Sequence, residues 1–157
     1  MLHVNVHRRK YFELYQQMAM SSAKQSVALK RQVGCVIVTP SGMIAPGWNG
    51  MPAGFPNQCE QPQGQELVTD HRVIHAECNA LDKLALEGIP VKGSLVFTTT
   101  APCMDCAKRL CGAGVIGVHY QHRYSDDRGL QFLQEAEIPC EAWDGLPTAG
   151  RLREIPV

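Results

Sequence analysis

The sequence predicts a single α/β domain built on a mixed sheet, and three observations carry that expectation. A chain of 157 residues has a one-domain length and can bury a proper core. Two apolar, strand-like runs joined by Pro40-Ser41-Gly42 read as a hairpin. Helical and strand patterns then alternate as far as residue 142, as expected of a layered α/β domain. No internal repeat, low-complexity tract or interdomain linker interrupts the pattern.

The elements follow in order. Residues 11–24 are predicted helical, with Phe12, Tyr15, Met18 and Met20 at roughly helical spacing among good helix formers. Residues 33–39 (VGCVIVT) are a β-branched, apolar run and read as a buried strand, and residues 43–48 return beside it. The stretch 49–72 is rich in Gly, Pro and Gln and has little periodicity, so it is expected to be irregular and functional. A helix over 75–86 ends at Gly88 and Pro90. A strand over 94–99 precedes a helix over 103–113, which has Pro102 near its first turn and Gly112 and Gly114 near its end. A strand over 115–120, a helix over 127–136 and a short strand over 138–142 complete the domain, taken as residues 1–143. Residues 144–157 hold few apolar side chains and are expected to form a tail.

Composition excludes several classes of function. The chain carries 15 Lys and Arg against 15 Asp and Glu, so there is no broad attraction to nucleic acid. The run His7-Arg8-Arg9-Lys10 is local and reads as a solvated helix start. No apolar stretch reaches membrane-spanning length, and residues 1–10 hold no signal-peptide core. Seven cysteines are therefore expected to be reduced thiols in a cytoplasm (a host's, if the chain is viral), with some binding metal.

The chemistry concentrates at His75-Ala76-Glu77 and Pro102-Cys103-Met104-Asp105-Cys106. Cys103 and Cys106 are three residues apart in a helical first turn, so they face the same way. The helix N-terminus favours thiolate there. His75, opening the preceding helix, can reach the same point. Three protein ligands leave a tetrahedral zinc one open position for water, and Glu77 is placed to move that water's proton. Each residue alone has a plainer reading as core or surface. A closed structural site needs a fourth ligand, for which Cys78, Cys111, Cys59 and His71 are the local candidates.

H-x-E with P-C-x-x-C is the signature of zinc-dependent nucleobase deaminases. VGCVIV, GWNGMPAG, VIHAECNA and TTTAPCMDCAKRLCGAGV together resemble the cytidine deaminase superfamily, and specifically its deoxycytidylate (dCMP) deaminases, over roughly residues 11–142. Gly47-Trp48-Asn49-Gly50 resembles that family's G-Y-N-G element with Trp in the Tyr position, and Ala23-Lys24-Gln25-Ser26 resembles an A-x-R-S element. The resemblance implies a three-layer α/β/α sandwich around a five-stranded mixed sheet, one catalytic Zn²⁺ on His75, Cys103 and Cys106, and Glu77 as proton carrier. It implies hydrolysis of dCMP to dUMP and ammonia, and in some relatives of dCTP also, feeding thymidylate synthesis. It further implies a homohexamer, activation by dCTP and inhibition by dTTP at a site around Gly47, Trp48, Asn49 and Gly50, and Mg²⁺ on the allosteric triphosphate. Some members carry a second, structural zinc, but Gln65 and Val73 stand where its extra ligands would be, so one zinc is expected.

Candidate substrate contacts are Asn49, Ser26, Lys24, Tyr120 and Tyr124. Lys30 and Arg31 lie where the family places phosphate contacts, and Arg109 and Arg123 flank the second motif. Two rival functions stay open. A tRNA adenosine deaminase shares W-N and H-A-E but needs a basic RNA-binding face. A non-catalytic zinc-stabilised binding module has no use for Glu77.

Overall fold

Along the chain the elements are α1 (Phe12–Ala23), β1 (Gly34–Val38), β2 (Ile44–Trp48), β3 (Glu60–Gln63), β4 (Glu66–Thr69), α2 (Ala76–Leu86), β5 (Leu95–Thr100), α3 (Met104–Gly112), β6 (Gly117–His122), α4 (Arg128–Glu135) and β7 (Cys140–Ala142). The computed structural model describes residues 5–143, so the segment 144–157 expected as a tail lies outside the described residues. Five strands form one mixed sheet in the order β2-β1-β5-β6-β7. The expected hairpin pairs β1 with β2 antiparallel, Gly34 opposite Trp48 and Val38 opposite Ile44. β5 joins β1 antiparallel, and β6 and β7 follow in parallel, with α3 and α4 as the connections.

Every residue of β1 and β5 is buried, because both faces of the sheet are covered. Their alternating side chains serve two separate cores. Val36, Val38, Leu95 and Phe97 pack on Phe12, Tyr15 and Ala19 of α1. Cys35, Ile37 and Val96 point the other way, onto Ala76, Ala80 and Leu84 of α2 and Ala107 and Leu110 of α3. Leu133 of α4 joins that second core. The result is the expected three-layer α/β/α sandwich, with α1 on one face and α2, α3 and α4 on the other. Among the described residues no helix is long and apolar enough to cross a membrane.

One glycine fixes how α2 sits. A Cβ on Gly47 of β2 would collide with the Ala76 carbonyl oxygen and the Ala80 nitrogen, so only glycine lets α2 lie this close to the strand. Asn79 Nδ2 donates to Trp48 O at 2.8 Å, and Lys83 Nζ to Pro46 O at 2.6 Å. The whole of α2 is thereby tied along β2.

The stretch 49–72 differs from expectation. It contains a two-stranded hairpin, β3 with β4, Glu60 opposite Thr69 and Gln63 opposite Glu66. All but Glu60 of its strand residues are exposed. Alternating hydrophobicity arises only where one face is buried, so this hairpin left no periodic trace in the sequence.

A titratable group sits inside the α1-facing core. His119 of β6 stacks on Phe97 with centroids 4.6 Å apart and lies 4.8 Å from the Phe12 ring. Burial, and secondarily the charge of Arg9, push its pKa down to about 4. Glu141 lies 3.5 Å from its Nδ1, but Arg9 donates to both oxygens of that carboxylate at 3.2 and 3.3 Å, so burial dominates. The folded chain thus keeps His119 neutral at pH values where the unfolded chain would protonate it. Stability contributed by the neutral ring is complete above pH 6.5 and is lost as pH falls toward 4, at up to roughly 1.4 kcal/mol per pH unit. Urea denaturation of the protein and of His119→Phe, which keeps the stack, at pH 7 and pH 5 checks this. The protein is expected to lose more stability than the variant over that interval. Parallel losses would contradict the assignment.

Candidate metal centre and active-site cavity

His75 and Cys103 occupy the same place on two helices. Each is the residue immediately before the first helical turn, extended at ψ 157° and 171°, and neither side chain caps its helix. Both are left free to turn toward a common point. Cys106 joins from the first turn of α3 and is buried. The potential ligand atoms of His75, Cys103 and Cys106 all lie within 4.8 Å of one another. His75 Nδ1 is 3.4 Å from Cys103 Sγ and 3.5 Å from Cys106 Sγ. Nitrogen and sulfur ligands of one tetrahedral zinc are separated by about 3.5 Å, so the three residues fit the ion.

Cys78 tests the closed alternative. Its Sγ is 3.8 Å from Cys106 Sγ, yet among the described residues it does not belong to the group within mutual ligand distance. The grouping is an open three-ligand set, as a catalytic zinc requires.

The electrostatics favour a cation here. Hydrogen bonds with Cys106 and His75 hold the Cys103 thiol down at about 4, and Cys103 in turn raises His75 to about 9. Without metal the cluster is a thiolate–imidazolium pair. Cys106, hydrogen-bonded to Cys103 and Cys78, has its pKa raised and keeps its proton. His75, Cys103 and Cys106 would hold a divalent ion, with both sulfurs then ionised as thiolates. Glu77, two residues after His75, is 4% exposed, and burial raises its carboxyl pKa. A buried carboxyl with a raised pKa can both accept and return a proton.

Neighbouring elements fix these groups. Gly50 and Ile74 exchange backbone hydrogen bonds at 3.1 and 2.8 Å, which anchors the residue before His75. A Cβ on Gly129 of α4 would run into the Pro102 carbonyl oxygen and the backbone of Cys103. The bare glycine lets α4 press the Cys103 backbone into place.

A cavity of about 380 Å³ opens beside the cluster. His75, Cys103 and Glu77 line it, and so do Lys30, Arg31, Asn49, Glu60 and Tyr124. Asn49 Oδ1 accepts from Val33 N at 2.8 Å and its Nδ2 donates to Arg31 O at 2.8 Å, so its amide holds the cation-bearing segment. The Arg31 guanidinium lies over the Tyr124 ring at 5.4 Å. Three other candidates do not line this cavity. Ser26 Oγ donates to Asn49 O at 2.8 Å and accepts from Ala28 N, bracing the same segment from behind. Lys24 is exposed at the end of α1. Tyr120 is buried with Ala101 and Leu130. Arg109 lies outside the cavity, and Arg123 lines a shallower neighbouring one with Arg31 and His122. In Gly47-Trp48-Asn49-Gly50, Trp48 is half-buried with Lys83 Nζ 4.3 Å from its ring centre. Sequence reasoning missed Glu60, which sits in a Gln-rich run with no periodicity; its one signal was the adjoining Cys59.

Residues 9–121 match the model of the cytidine and deoxycytidylate deaminase zinc-binding region. Fold and site together define a zinc-dependent deaminase domain. The chain belongs to the cytidine and deoxycytidylate deaminase family. It is 32% identical over 148 residues to the deoxycytidylate deaminase of Schizosaccharomyces pombe, covering 88% of this chain and 45% of that one. It is 36% identical over 115 residues to ComE operon protein 2 of Bacillus subtilis, covering 72% and 60%. The chain thus spans about half the length of these curated relatives. The structure of dCMP deaminase from the cyanophage S-TIM5, in complex with dCMP and dUMP, superposes with a TM-score of 0.80 at 36% identity, over 86% of this chain and 98% of that one.

The Gly129 contact is testable. Gly129→Ala is expected to weaken zinc retention about ten-fold or more, read by competition with a chromophoric chelator. Gly112→Ala, where a Cβ meets nothing within 4 Å, is the control and is expected to retain zinc normally. Equal retention by both variants would show that α4 does not set the Cys103 position.

Proposed function

We propose that this protein hydrolyses dCMP to dUMP and ammonia. One observation carries the reading: a single cavity is lined by His75 and Cys103 of the metal set, by the buried Glu77 and by two cations, Lys30 and Arg31. Among the described residues neither cation pairs with a carboxylate. A monophosphate dianion is the ligand charge that complements them. Deaminase chemistry and a phosphate-bearing substrate therefore meet in one place. The names of the curated relatives and of the cyanophage complex support the same substrate.

When bound, zinc supplies Lewis-acid activation of water. Glu77 accepts a proton from the attacking water and delivers it to N3 of the cytosine ring as oxygen adds to C4. It then carries the remaining hydroxyl proton to the amino nitrogen. The C4–N bond breaks, ammonia leaves, and the ring keeps C4=O and N3–H. The raised pKa of Glu77 suits both directions of transfer. Lys30 and Arg31 hold the phosphate, and Tyr124, under the Arg31 guanidinium, fixes that side chain. Asn49 has a second amide N–H beyond the one given to Arg31, and contacts the deoxyribose with it.

The proposal extends to regulation and assembly. dCTP, with Mg²⁺ on its triphosphate, activates and dTTP inhibits at Gly47-Trp48-Asn49-Gly50, within a cytoplasmic homohexamer. What supports this is the resemblance of that element to G-Y-N-G and its place in the fold. It joins β2 to the Gly50–Ile74 bridge beside His75, so a ligand there would bear on the zinc helix.

Ammonia release from dCMP, with dCTP, dTTP or neither, tests the reading. Activity on dCMP is expected, raised by dCTP and lowered by dTTP. Glu77→Gln should keep its zinc and lose turnover by about 10³-fold or more. Full activity in that variant would refute the role of Glu77. Zinc-loaded protein that deaminates tRNA adenosine and leaves dCMP untouched would overturn the substrate.

A further inference from the structure

We infer that Glu60 is a positioning residue for the phosphate end of the substrate, acting through the backbone of the segment that carries Lys30 and Arg31. The inference rests on the phosphate reading given under the proposed function. Residues 24–33 contain neither helix nor strand; Gln25 N and Ser26 N donate to Ser22 O and Ala23 O, and the donors beyond them need acceptors from elsewhere in the fold. Three side chains supply them. Ser26 Oγ accepts from Ala28 N, and Asn49 Oδ1 accepts from Val33 N. Glu60 Oε1 accepts from two consecutive N–H groups, Leu29 at 3.0 Å and Lys30 at 3.1 Å.

The setting of Glu60 is unusual. It is 3% exposed, while every other strand residue of the β3–β4 hairpin is exposed. Burying a carboxylate is costly unless its oxygens are hydrogen-bonded, and here backbone N–H groups do that. Glu60 lines the same cavity as Lys30 and Arg31, yet among the described residues no Lys, Arg or His nitrogen lies within 4.0 Å of its carboxylate. The carboxylate therefore grips the backbone of the cation-bearing segment without neutralising the cations. Their charges stay available for a phosphate, and their conformation is set before one arrives. Pre-ordering of this kind is expressed in substrate binding more than in the chemical step.

The hairpin thereby gains a role that its exposed surface does not suggest. It is the strut that delivers Glu60 to residues 28–31. Its base is held by Asp70, whose N–H donates to Cys59 O at 2.8 Å and whose carboxylate accepts from Arg72 Nε and a terminal guanidinium nitrogen at 2.9 and 2.8 Å.

The test is steady-state kinetics of zinc-loaded protein on dCMP and on deoxycytidine, which lacks the phosphate. Glu60→Ala is expected to raise KM for dCMP about ten-fold or more, because two consecutive N–H groups of the cation-bearing segment lose their acceptor. Its kcat on dCMP should stay within about three-fold, and its kcat/KM on deoxycytidine should hardly move. Glu60→Gln keeps an oxygen acceptor for both N–H groups and is expected to restore KM. Glu60→Asp, one methylene shorter, keeps the charge, loses the reach and should behave like alanine; it serves if the alanine variant does not fold. Equal losses on both substrates, or a fall in kcat at constant KM, would overturn the inference. Arg31→Ala separates the two readings. If the parent protein shows no preference for dCMP over deoxycytidine and Arg31→Ala changes nothing, the phosphate reading fails. If Arg31→Ala raises KM for dCMP and Glu60→Ala does not, the positioning role alone fails.

Discussion

Two helix N-termini meet at one point, and the rest of the molecule is organised to keep them there. His75 precedes the first turn of α2, and Cys103 precedes the first turn of α3. In most helices that position holds a side chain that caps the turn's free N–H groups. Here both side chains forgo capping and face each other. The two helix dipoles then lend their positive ends to the Cys103 sulfur, which favours thiolate there before any metal arrives. A small shift of either helix would separate ligands that are 3.4–3.5 Å apart. The precision of the centre is therefore a property of how α2 and α3 dock.

Docking is set by close backbone approach rather than by bulky packing. Gly47 lets α2 lie against β2, and Gly129 lets α4 press on Pro102 and Cys103. The sheet core supplies rigidity: Ala76 and Ala80 on α2 and Ala107 on α3 are fully buried small residues that hold both helices close to β1 and β5. A different logic governs the side of the cavity that carries Lys30 and Arg31. Residues 24–33 have no ladder of their own and are held by Ser26, Asn49 and Glu60. The metal end of the cavity is thus built on rigid elements, and the cation-bearing end on a loop tied by polar side chains. That division lets one vary without disturbing the other.

Legibility in the sequence followed the same division. The sheet strands and the four helices were readable because each buries a face and so carries a period or an apolar run. The grouping of His75, Cys103 and Cys106 was readable because a helical first turn fixes the spacing of Cys103 with Cys106 and sets His75 at the start of the neighbouring helix. The β3–β4 hairpin was not readable, since exposure on both faces removes the alternation that marks a strand. Glu60 was missed for a different reason: its burial comes with a contact 30 residues away in sequence, with Lys30. Of the polar residues expected as substrate contacts, Asn49 and Tyr124 line the cavity, and Ser26, Lys24 and Tyr120 do not. Ser26 braces the backbone, and Tyr120 packs in a core, roles that depend on tertiary partners no local pattern reveals.

The central claim is that the metal centre is open, with three protein ligands and one position left for water. X-ray absorption spectroscopy of the zinc-loaded protein tests it most directly, because it counts sulfur neighbours. The account predicts two sulfurs at about 2.3 Å and two nitrogen or oxygen neighbours at about 2.0 Å. Three sulfurs, with Cys78 drawn in beside Cys106, would describe a closed structural site and would contradict it.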